Sequence, residues 1–266
     1  MAGPQRMKTS LDEWVAFAEA LADESRAMFG AASAPVVELK PDRSFVTDLD
    51  ERIERRLRER ITDRYPAHGI IGEEGGDAGP ARELTWVLDP VDGTAPFIAG
   101  VPVYGTLIAL LADGVPVLGI IDLPVTRDRW VGATGQPTRH SAGPCATRAC
   151  ASLSGAILSA SNPDFFGNAD RPALDALRAA TAWRIYGGCC MAYGLLASGR
   201  TDLAIDSSLK LWDYAPFPPI IEGAGGVITD WDGKPLALGS GPRILAAGDP
   251  QRHRDALTMV QGAMLP

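Results

Sequence analysis

The sequence has little positive charge, and this shortage excludes one class of partner. Its 25 Lys and Arg residues are outnumbered by 33 Asp and Glu residues, which gives a formal net charge of −8. A nucleic-acid-binding surface needs a basic face, so we expect no nucleic-acid partner. An anionic substrate would need a local source of positive charge in such a protein, and a metal ion is one candidate.

Long apolar runs and paired cysteines are also missing. No stretch reaches the ~18 uninterrupted apolar residues of a membrane helix, and the N-terminal sequence MAGPQRMKTSLDEW has no apolar signal-peptide core. The 4 cysteines include no CxxC pair and do not resemble a secreted disulfide framework. We therefore expect no signal peptide, no membrane partner, reduced thiols and a cytoplasmic location.

Two amphipathic helices are predicted near the N-terminus. Ser10 and Glu13 form a possible capping box that begins the first helix, and Gly30 is expected to end it. Thr47 and Asp50 have the same spacing before the apolar stripe of the second helix. The charged residues of this second helix are expected to form a solvated outer face: Glu54, Arg55, Arg58 and Arg60.

Beyond the second helix the apolar spacing becomes that of strands. The segments GIIGEEGG, TWVLD, VYGTLIALLADGVPVLGIID and DRWVGATG predict strands, and Asp113-Gly114 predicts a hairpin turn. From about residue 150 strands and helices alternate, which is typical of an α/β arrangement. We therefore expect an N-terminal α+β subdomain at residues 1–145 and a C-terminal α/β subdomain at residues 146–266.

Acidic residues lie at the ends of these elements rather than on helix faces. Glu73 and Glu74 follow one strand, Asp89 and Asp92 end the next, and Asp213 lies at the start of a predicted helix. Carboxylates that share one region repel each other unless a positive charge lies between them. Because hard oxygen ligands suit Mg²⁺, the sequence predicts a Mg²⁺ site formed by these acids.

The turn DPVDGT, residues 89–94, has further features that suit such a site. Pro90 stiffens the turn, and the carbonyl of Val91 is an additional oxygen ligand. Gly93 lets the backbone approach an anion closely, and Thr94 offers a hydroxyl. If a helix begins there, its free N–H groups can hold a phosphate.

Four blocks of the sequence resemble segments of the inositol monophosphatase superfamily of Mg²⁺-dependent phosphatases. They are KPDRSFVTDLD, GEE, DPVDGT and LWDYAPFPPIIEGAGG, and they follow one another in the family's order and spacing. The resemblance extends over nearly the whole chain. It implies a fold with α+β and α/β parts stacked as an αβαβα sandwich, a homodimer and inhibition by lithium.

The resemblance also implies roles for individual residues. Two or three Mg²⁺ ions would be bound by oxygen donors from Glu73, Asp89, the Val91 carbonyl, Asp92 and Asp213. Thr94, paired with Asp50, would orient the attacking water, and Glu73 belongs to the same catalytic group. The backbone of Gly93 and Thr94 would hold the phosphate beside Asp92.

Within the superfamily the resemblance is strongest to histidinol-phosphatases. It implies a phosphomonoesterase with L-histidinol phosphate as the favoured substrate. The segments that carry it span residues 100–138, 186–206 and 219–233. Asp206 would keep an acid near the substrate alcohol, and Cys189 stands where the relatives usually carry an Asp.

The presence of Cys189 keeps other substrates open. An Asp at that position would meet the ammonium or imidazole of histidinol, so its absence leaves an inositol or sugar phosphate as an alternative. A catalytically inactive binding homologue is a third alternative, although the retained carboxylates and Thr94 do not favour it.

Pro218 and Pro219 are expected to distort the helix that follows Asp213.

Overall fold

The computed structural model describes residues 4–31, 36–41, 44–77 and 82–265. The helices are α1 (Pro4–Ala31), α2 (Asp48–Arg64), α3 (Thr94–Ala99), α4 (Arg171–Ala180), α5 (Cys189–Ala197), α6 (Leu211–Tyr214), α7 (Phe217–Gly223) and α8 (Pro250–Ala263). In these parts of the chain, no helix has the length and apolarity needed to span a bilayer.

The strands form a small hairpin and two sheets. The hairpin joins β1 (Val37–Leu39) and β2 (Phe45–Thr47). The first sheet contains β3 (Gly69–Gly72), β4 (Gly76–Asp77), β5 (Leu84–Asp92), β6 (Gly105–Ala112), β7 (Val115–Asp122), β8 (Arg129–Ala133), β9 (Arg139–His140) and β10 (Gly143–Pro144). The second contains β11 (Ile157–Ala160), β12 (Trp183–Tyr186), β13 (Leu203–Asp206), β14 (Val227–Asp230) and β15 (Ile244–Ala247).

Each sheet has one parallel region. The eight-stranded sheet has the order β10-β9-β8-β7-β6-β5-β3-β4 and is antiparallel except between β3 and β5. The five-stranded sheet has the order β12-β11-β13-β15-β14, in which β11 runs parallel to both β12 and β13. These parallel regions matter because the carboxyl ends of parallel strands lie at the same edge of a sheet.

Helices and sheets alternate in five layers. Helices α1 and α2 cover one face of the first sheet, and α5 and α7 fill the space between the two sheets. Helices α4 and α8 cover the outer face of the second sheet. This order confirms the predicted αβαβα sandwich. The predicted subdomain boundary lies between β10 and β11, where the chain passes from one sheet to the next, and the division itself stays a prediction.

The N-terminal helices differ from their prediction at one end. Helix α1 begins at Pro4, so the predicted start at Ser10 is wrong. Proline is well tolerated in the first turn of a helix, where N–H groups lack partners in any case. Thr47 caps α2 as predicted, and its backbone N–H donates to Asp50 Oδ2 at 3.1 Å. The predicted hairpin at Asp113-Gly114 is also confirmed, because it joins β6 to β7.

The prolines after Asp213 break the helix instead of bending it. Helix α6 ends at Tyr214 and α7 begins at Phe217, so Pro218 and Pro219 fall in the first turn of α7. Helix α7 packs closely on the first sheet, since a Cβ at Gly132 would lie 2.4 Å from the backbone nitrogen of Ile220. Only glycine fits there, and this close approach holds the chain that carries Asp213 against the sheet.

Candidate active site

Strands β3 and β5 bring their acidic residues to one edge of the first sheet. The two strands are parallel, with Gly72 opposite Leu88. Glu73 follows directly, and its backbone N–H donates to the Leu88 carbonyl at 3.2 Å. Asp89 therefore lies beside Glu73 because the strand pairing fixes their register.

A bulge in β5 brings Asp92 back toward Asp89. The pairing with β6 shifts register between Asp89 and Asp92. The backbone N–H of Val91 donates to Asp89 Oδ1 at 3.0 Å, and the Pro90 carbonyl accepts the Thr106 hydroxyl at 2.9 Å. These bonds hold the turn so that the side chains of both aspartates reach the same side of the sheet edge.

Asp213 joins this pair from the other half of the chain. It lies inside α6, and its Oδ2 accepts the backbone N–H of Lys210, the N-cap residue, at 2.6 Å. Asp213 therefore lies in the first turn of α6, as predicted, although the N-cap residue is Lys210. One carboxylate oxygen from each of Asp89, Asp92 and Asp213 lies within 4.8 Å of the others.

Glu73 and Glu74 face a cation from the β1–β2 hairpin. Lys40 Nζ lies 3.3 Å from Glu73 Oε1 and 2.7 Å from Glu74 Oε2. Glu73 also lines the cavity that contains the three aspartates, whereas Glu74 is not part of that wall. The sequence grouped Glu74 with the acids of the predicted Mg²⁺ site, whereas the structure pairs it with Lys40 away from the cavity wall.

The cluster strongly favours bound protons or a cation. Burial, and then repulsion by Glu73 and Asp92, raise the pKa of Asp89 well above its usual range. Burial also raises the pKa of Asp213 well above normal, and it raises the pKa of Glu73 to about 7 despite the neighbouring Lys40. Each acid is costly to ionise here because the other acids and the low polarity of the site oppose its charge.

Asp50 and Thr94 meet next to this cluster. The Thr94 hydroxyl lies 3.3 Å from Asp50 Oδ1 and 3.1 Å from the Val91 carbonyl, either of which can accept its proton. Asp50 is buried, and Thr47 donates to its other oxygen through both the backbone and the hydroxyl. Burial raises the pKa of Asp50 in spite of these bonds.

A cavity of about 860 Å³ opens in front of the acids and is walled by both halves of the chain. One wall contains Glu73 and the 89–94 turn. The other comes from loops that follow the parallel strands β11, β12 and β13, and it includes Ser161, Asn162, Phe165, Tyr186, Gly187, Ser208 and Lys210. Most of these residues had no predicted role. Their position just after parallel strands is the sequence signal that could have identified them.

Cys189 lies at the junction of the two walls. It is the first residue of α5 and lines the cavity with a backbone φ of 45°. A Cβ at Gly93 would lie 2.9 Å from its sulfur, so Gly93 and Cys189 are in close contact. The next residue, Cys190, donates its backbone N–H to Asp92 Oδ2 at 2.6 Å. The N-terminus of α5 thus supports Asp92, while Cys189 faces the substrate space.

Asp206 lies behind the cavity wall instead of facing the cavity. Its side chain is fully buried and accepts the Ser161 N–H at 2.7 Å, the Ser161 hydroxyl at 3.1 Å and the Tyr193 hydroxyl at 2.9 Å. Burial raises its pKa to about 7. In this structure Asp206 therefore holds Ser161, which lines the cavity, and both of its oxygens already have donors.

Comparisons with known proteins agree on one family. A sequence model of the inositol monophosphatase family matches residues 10–263. The bifunctional phosphatase IMPL2, chloroplastic, of Arabidopsis thaliana is 40% identical over 264 residues, which cover 95% of this chain and 76% of that protein. A histidinol-phosphatase of Mycobacterium tuberculosis is 35% identical over 80% of this chain and 84% of its own. A solved inositol monophosphatase from Zymomonas mobilis has a TM-score of 0.86 at 37% identity, with 94% and 98% of the two chains covered.

Proposed function

Because this chain belongs to the inositol monophosphatase family, we propose that it is a Mg²⁺-dependent phosphomonoesterase acting on the phosphate ester of a small polar alcohol. The observation that carries the proposal is the cluster of Asp89, Asp92 and Asp213, whose oxygens lie within 4.8 Å of one another. Three carboxylates that close would repel each other strongly without a cation between them.

The donor set fits Mg²⁺. Within the described parts of the chain, no ion pair joins Asp89, Asp92 or Asp213 to a basic side chain, and Lys40 reaches only Glu73 and Glu74. The available donors are all oxygens, and they face an open cavity that has room for waters and a phosphate. We therefore assign two or three Mg²⁺ ions to donors from Glu73, Asp89, the Val91 carbonyl, Asp92 and Asp213.

The residues around these donors supply positioning and proton transfer. Bound Mg²⁺ would neutralise the phosphate oxygens and lower the pKa of a water molecule. The Thr94 hydroxyl, which can donate to Asp50, would accept a hydrogen bond from the attacking water, and Glu73 would accept from the same water. Because Thr47 holds Asp50, the Thr94 oxygen is oriented before substrate arrives.

The phosphate is assigned to the turn between β5 and α3. Gly93 has a φ of 83°, a left-handed conformation that only glycine adopts without strain. A Cβ at this position would also lie 2.9 Å from the Cys189 sulfur, so glycine is what allows the turn to pack against the start of α5. Asp92 lies beside this turn and completes the substrate-facing edge of the site.

L-Histidinol phosphate is our favoured substrate. Similarity to the histidinol-phosphatase of Mycobacterium tuberculosis supports it. The alternative is an inositol or sugar phosphate, and it is supported by Cys189 and by the similarity to an inositol monophosphatase. The polar residues of the second wall, among them Ser161 and Asn162, could bind either kind of alcohol.

Phosphate release from histidinol phosphate, inositol 1-phosphate and a sugar phosphate, with Mg²⁺ or with a chelator, tests the proposal. We expect activity only with Mg²⁺, a preference for histidinol phosphate and inhibition by lithium. Asp92→Asn should remove nearly all activity and leave the fold intact, as judged by circular dichroism. Unchanged turnover in that variant would refute the metal assignment, and a preference for inositol 1-phosphate would refute the substrate choice.

A homodimer is the assembly that we propose. Strand β12 is the edge of the second sheet, and all four of its residues are exposed, including 68% of Trp183 and 40% of Ile185. Exposed apolar edge strands are sites of association between chains. Light scattering should therefore give the mass of a dimer for the natural chain and of a monomer for Trp183→Lys; a monomeric natural chain would refute this.

A further inference from the structure

Glu54 is buried against the turn that carries Glu73 and Glu74, so the expectation that it lies on a solvated helix face is wrong. Only 2% of its side chain is exposed. Its carboxylate accepts the backbone N–H of Glu74 and that of Gly75, each at 2.8 Å. The helix pattern missed this contact because the turn covers a face of α2 that is charged instead of apolar.

Arg58 connects Glu54 to the end of the same turn. Its Nε donates to Glu54 Oε1 at 2.7 Å, and its Nη2 donates to the Gly76 carbonyl at 2.6 Å. The charge of Glu54 is thereby balanced by one cation and two backbone donors. A buried carboxylate with such a complete set of partners is a rigid support.

The turn lies so close to Glu54 that a side chain would clash at two of its positions. A Cβ added at Gly72 would lie 2.4 Å from Glu54 Oε1, and one added at Gly75 would lie 2.8 Å from the same oxygen. Glycine at both positions is therefore what lets the turn approach the Glu54 carboxylate. The backbone on either side of Glu73 and Glu74 is held at contact distance from α2.

Helix α2 supports two parts of the site from one face. Asp50 and Glu54 are both buried and are one helical turn apart, which places them on the same side of the helix. Asp50 contacts Thr94, whereas Glu54 holds the turn that carries Glu73. Because both acids lie on one helix, α2 fixes the position of the turn that carries Glu73 relative to Thr94.

We propose that Glu54 is a positioning residue that fixes Glu73 for divalent-cation binding. This inference rests on the proposed function, since it assigns Glu73 to the metal site. If Glu54 cannot accept both N–H groups, two donors lose their partner away from water, and the turn rearranges to satisfy them. Glu73 then moves with the turn and loses its alignment with Asp89.

Binding of Mn²⁺, followed by electron paramagnetic resonance, tests this without any substrate. Glu54→Gln has nearly the same shape, but its amide NH₂ faces a backbone donor, so we expect about tenfold weaker Mn²⁺ binding. The matched control is Glu51→Gln, which makes the same charge change at an exposed position of α2 and should bind Mn²⁺ like the natural chain. Equal binding by all three proteins, or equal weakening in both variants, would overturn the proposal.

A second variant covers the case in which Glu54→Gln does not fold. Glu54→Asp keeps the charge but withdraws the carboxylate by one methylene, and it should weaken Mn²⁺ binding by several-fold. Natural affinity in a folded Glu54→Asp protein would also overturn the proposal. A natural chain that binds Mn²⁺ but hydrolyses no phosphate ester would refute the proposed function alone, because the comparison of affinities does not depend on turnover.

Discussion

The Thr94 hydroxyl lies 3.3 Å from Asp50 Oδ1, although the two residues are 44 positions apart in the sequence. The contact joins the N-terminus of α2 to the turn that follows β5. Because Thr47 holds Asp50 from the opposite side, the carboxylate has little freedom to rotate. A hydroxyl fixed in this way is suited to accept and relay a proton.

Replacing Thr94 by alanine should therefore affect turnover more than binding. We expect kcat for the best substrate to fall about 100-fold, with Mn²⁺ affinity and melting temperature close to those of the natural chain. Thr94→Ser keeps the hydroxyl and should retain most of the activity. Equal kcat values for the Ala and Ser variants would show that the hydroxyl has no part in the reaction.

The buried acids should make stability depend on pH and Mg²⁺ together. Glu73, with a pKa raised to about 7, binds more protons in the folded chain than in the unfolded chain. Without a divalent ion, the contribution of Glu73 to stability is therefore greatest below the unfolded pKa of about 4 and is lost as the pH rises toward about 7. Mg²⁺ replaces those protons, so its stabilising effect should grow over the same range.

Melting temperatures measured from about pH 5 to about pH 8, with a chelator or with Mg²⁺, check this prediction. The difference between the two curves should increase with pH in the natural chain. It should be much smaller at every pH in Asp213→Asn, which removes one of the clustered charges. A Mg²⁺ effect that stays constant with pH would contradict the assignment of these carboxylates to the cation.

The convergence of the acids could be predicted from the sequence, because it depends on local rules. Glu73 and Asp89 each follow an apolar strand, and the DPVDGT turn places Asp92 beside Asp89. The parallel pairing of β3 and β5 then brings both segments to one edge. Asp213 was included because it lies at the start of a predicted helix, but nothing in its own segment indicates which part of the first sheet α6 contacts.

Asp206 and Glu54 show where prediction from the sequence ended. Both are acids whose role depends on which loop covers them. Asp206 ends a strand, as Asp92 does, but the loop at Ser161 folds over it and occupies its oxygens. Glu54 lies on a polar helix face, but the turn at Glu74 packs on it. Such contacts are set by tertiary packing and have no periodicity to detect.

A further prediction concerns the ion pair that holds the second sheet to the chain segment before it. Asp202 is buried and accepts Arg148 Nε at 2.7 Å, Arg148 Nη2 at 2.6 Å and the Ile157 N–H at 2.8 Å. Burial alone would raise the pKa of Asp202, but these hydrogen bonds outweigh it and lower the pKa. We expect Asp202→Asn to lower the free energy of unfolding by about 2 kcal/mol at neutral pH.

The sign of the pKa shift predicts how this loss varies with pH. Because the folded pKa is lowered, the contribution is present above the unfolded pKa of about 3.9 and is lost as the pH falls through the folded value. Urea unfolding should therefore show a smaller difference between Asp202→Asn and the natural chain in acid. The control is Asp175→Asn, which breaks an exposed pair with Arg178 and should cost less than about 0.5 kcal/mol. Equal losses in both variants would contradict the special role of Asp202.

Substrate preference should depend on the charge at position 189. Cys189 faces the cavity with a φ of 45°, a conformation that Asp and Asn tolerate better than most residues. Cys189→Asp adds a carboxylate where a cationic group of the substrate can reach it. We expect the ratio of kcat/KM for histidinol phosphate to that for inositol 1-phosphate to rise about tenfold, the effect of one charged hydrogen bond.

Cys189→Asn separates the effect of charge from that of shape, because the amide fills the same space without the charge. It should leave the substrate ratio close to that of the natural chain. The natural Cys189 side chain carries no charge that could bind a cationic substrate, because burial and then the charge of Asp92 raise the pKa of the thiol and keep it neutral. If the Asn and Asp variants shift the ratio equally, size at this position determines the preference, and the charge-based account of substrate choice is wrong.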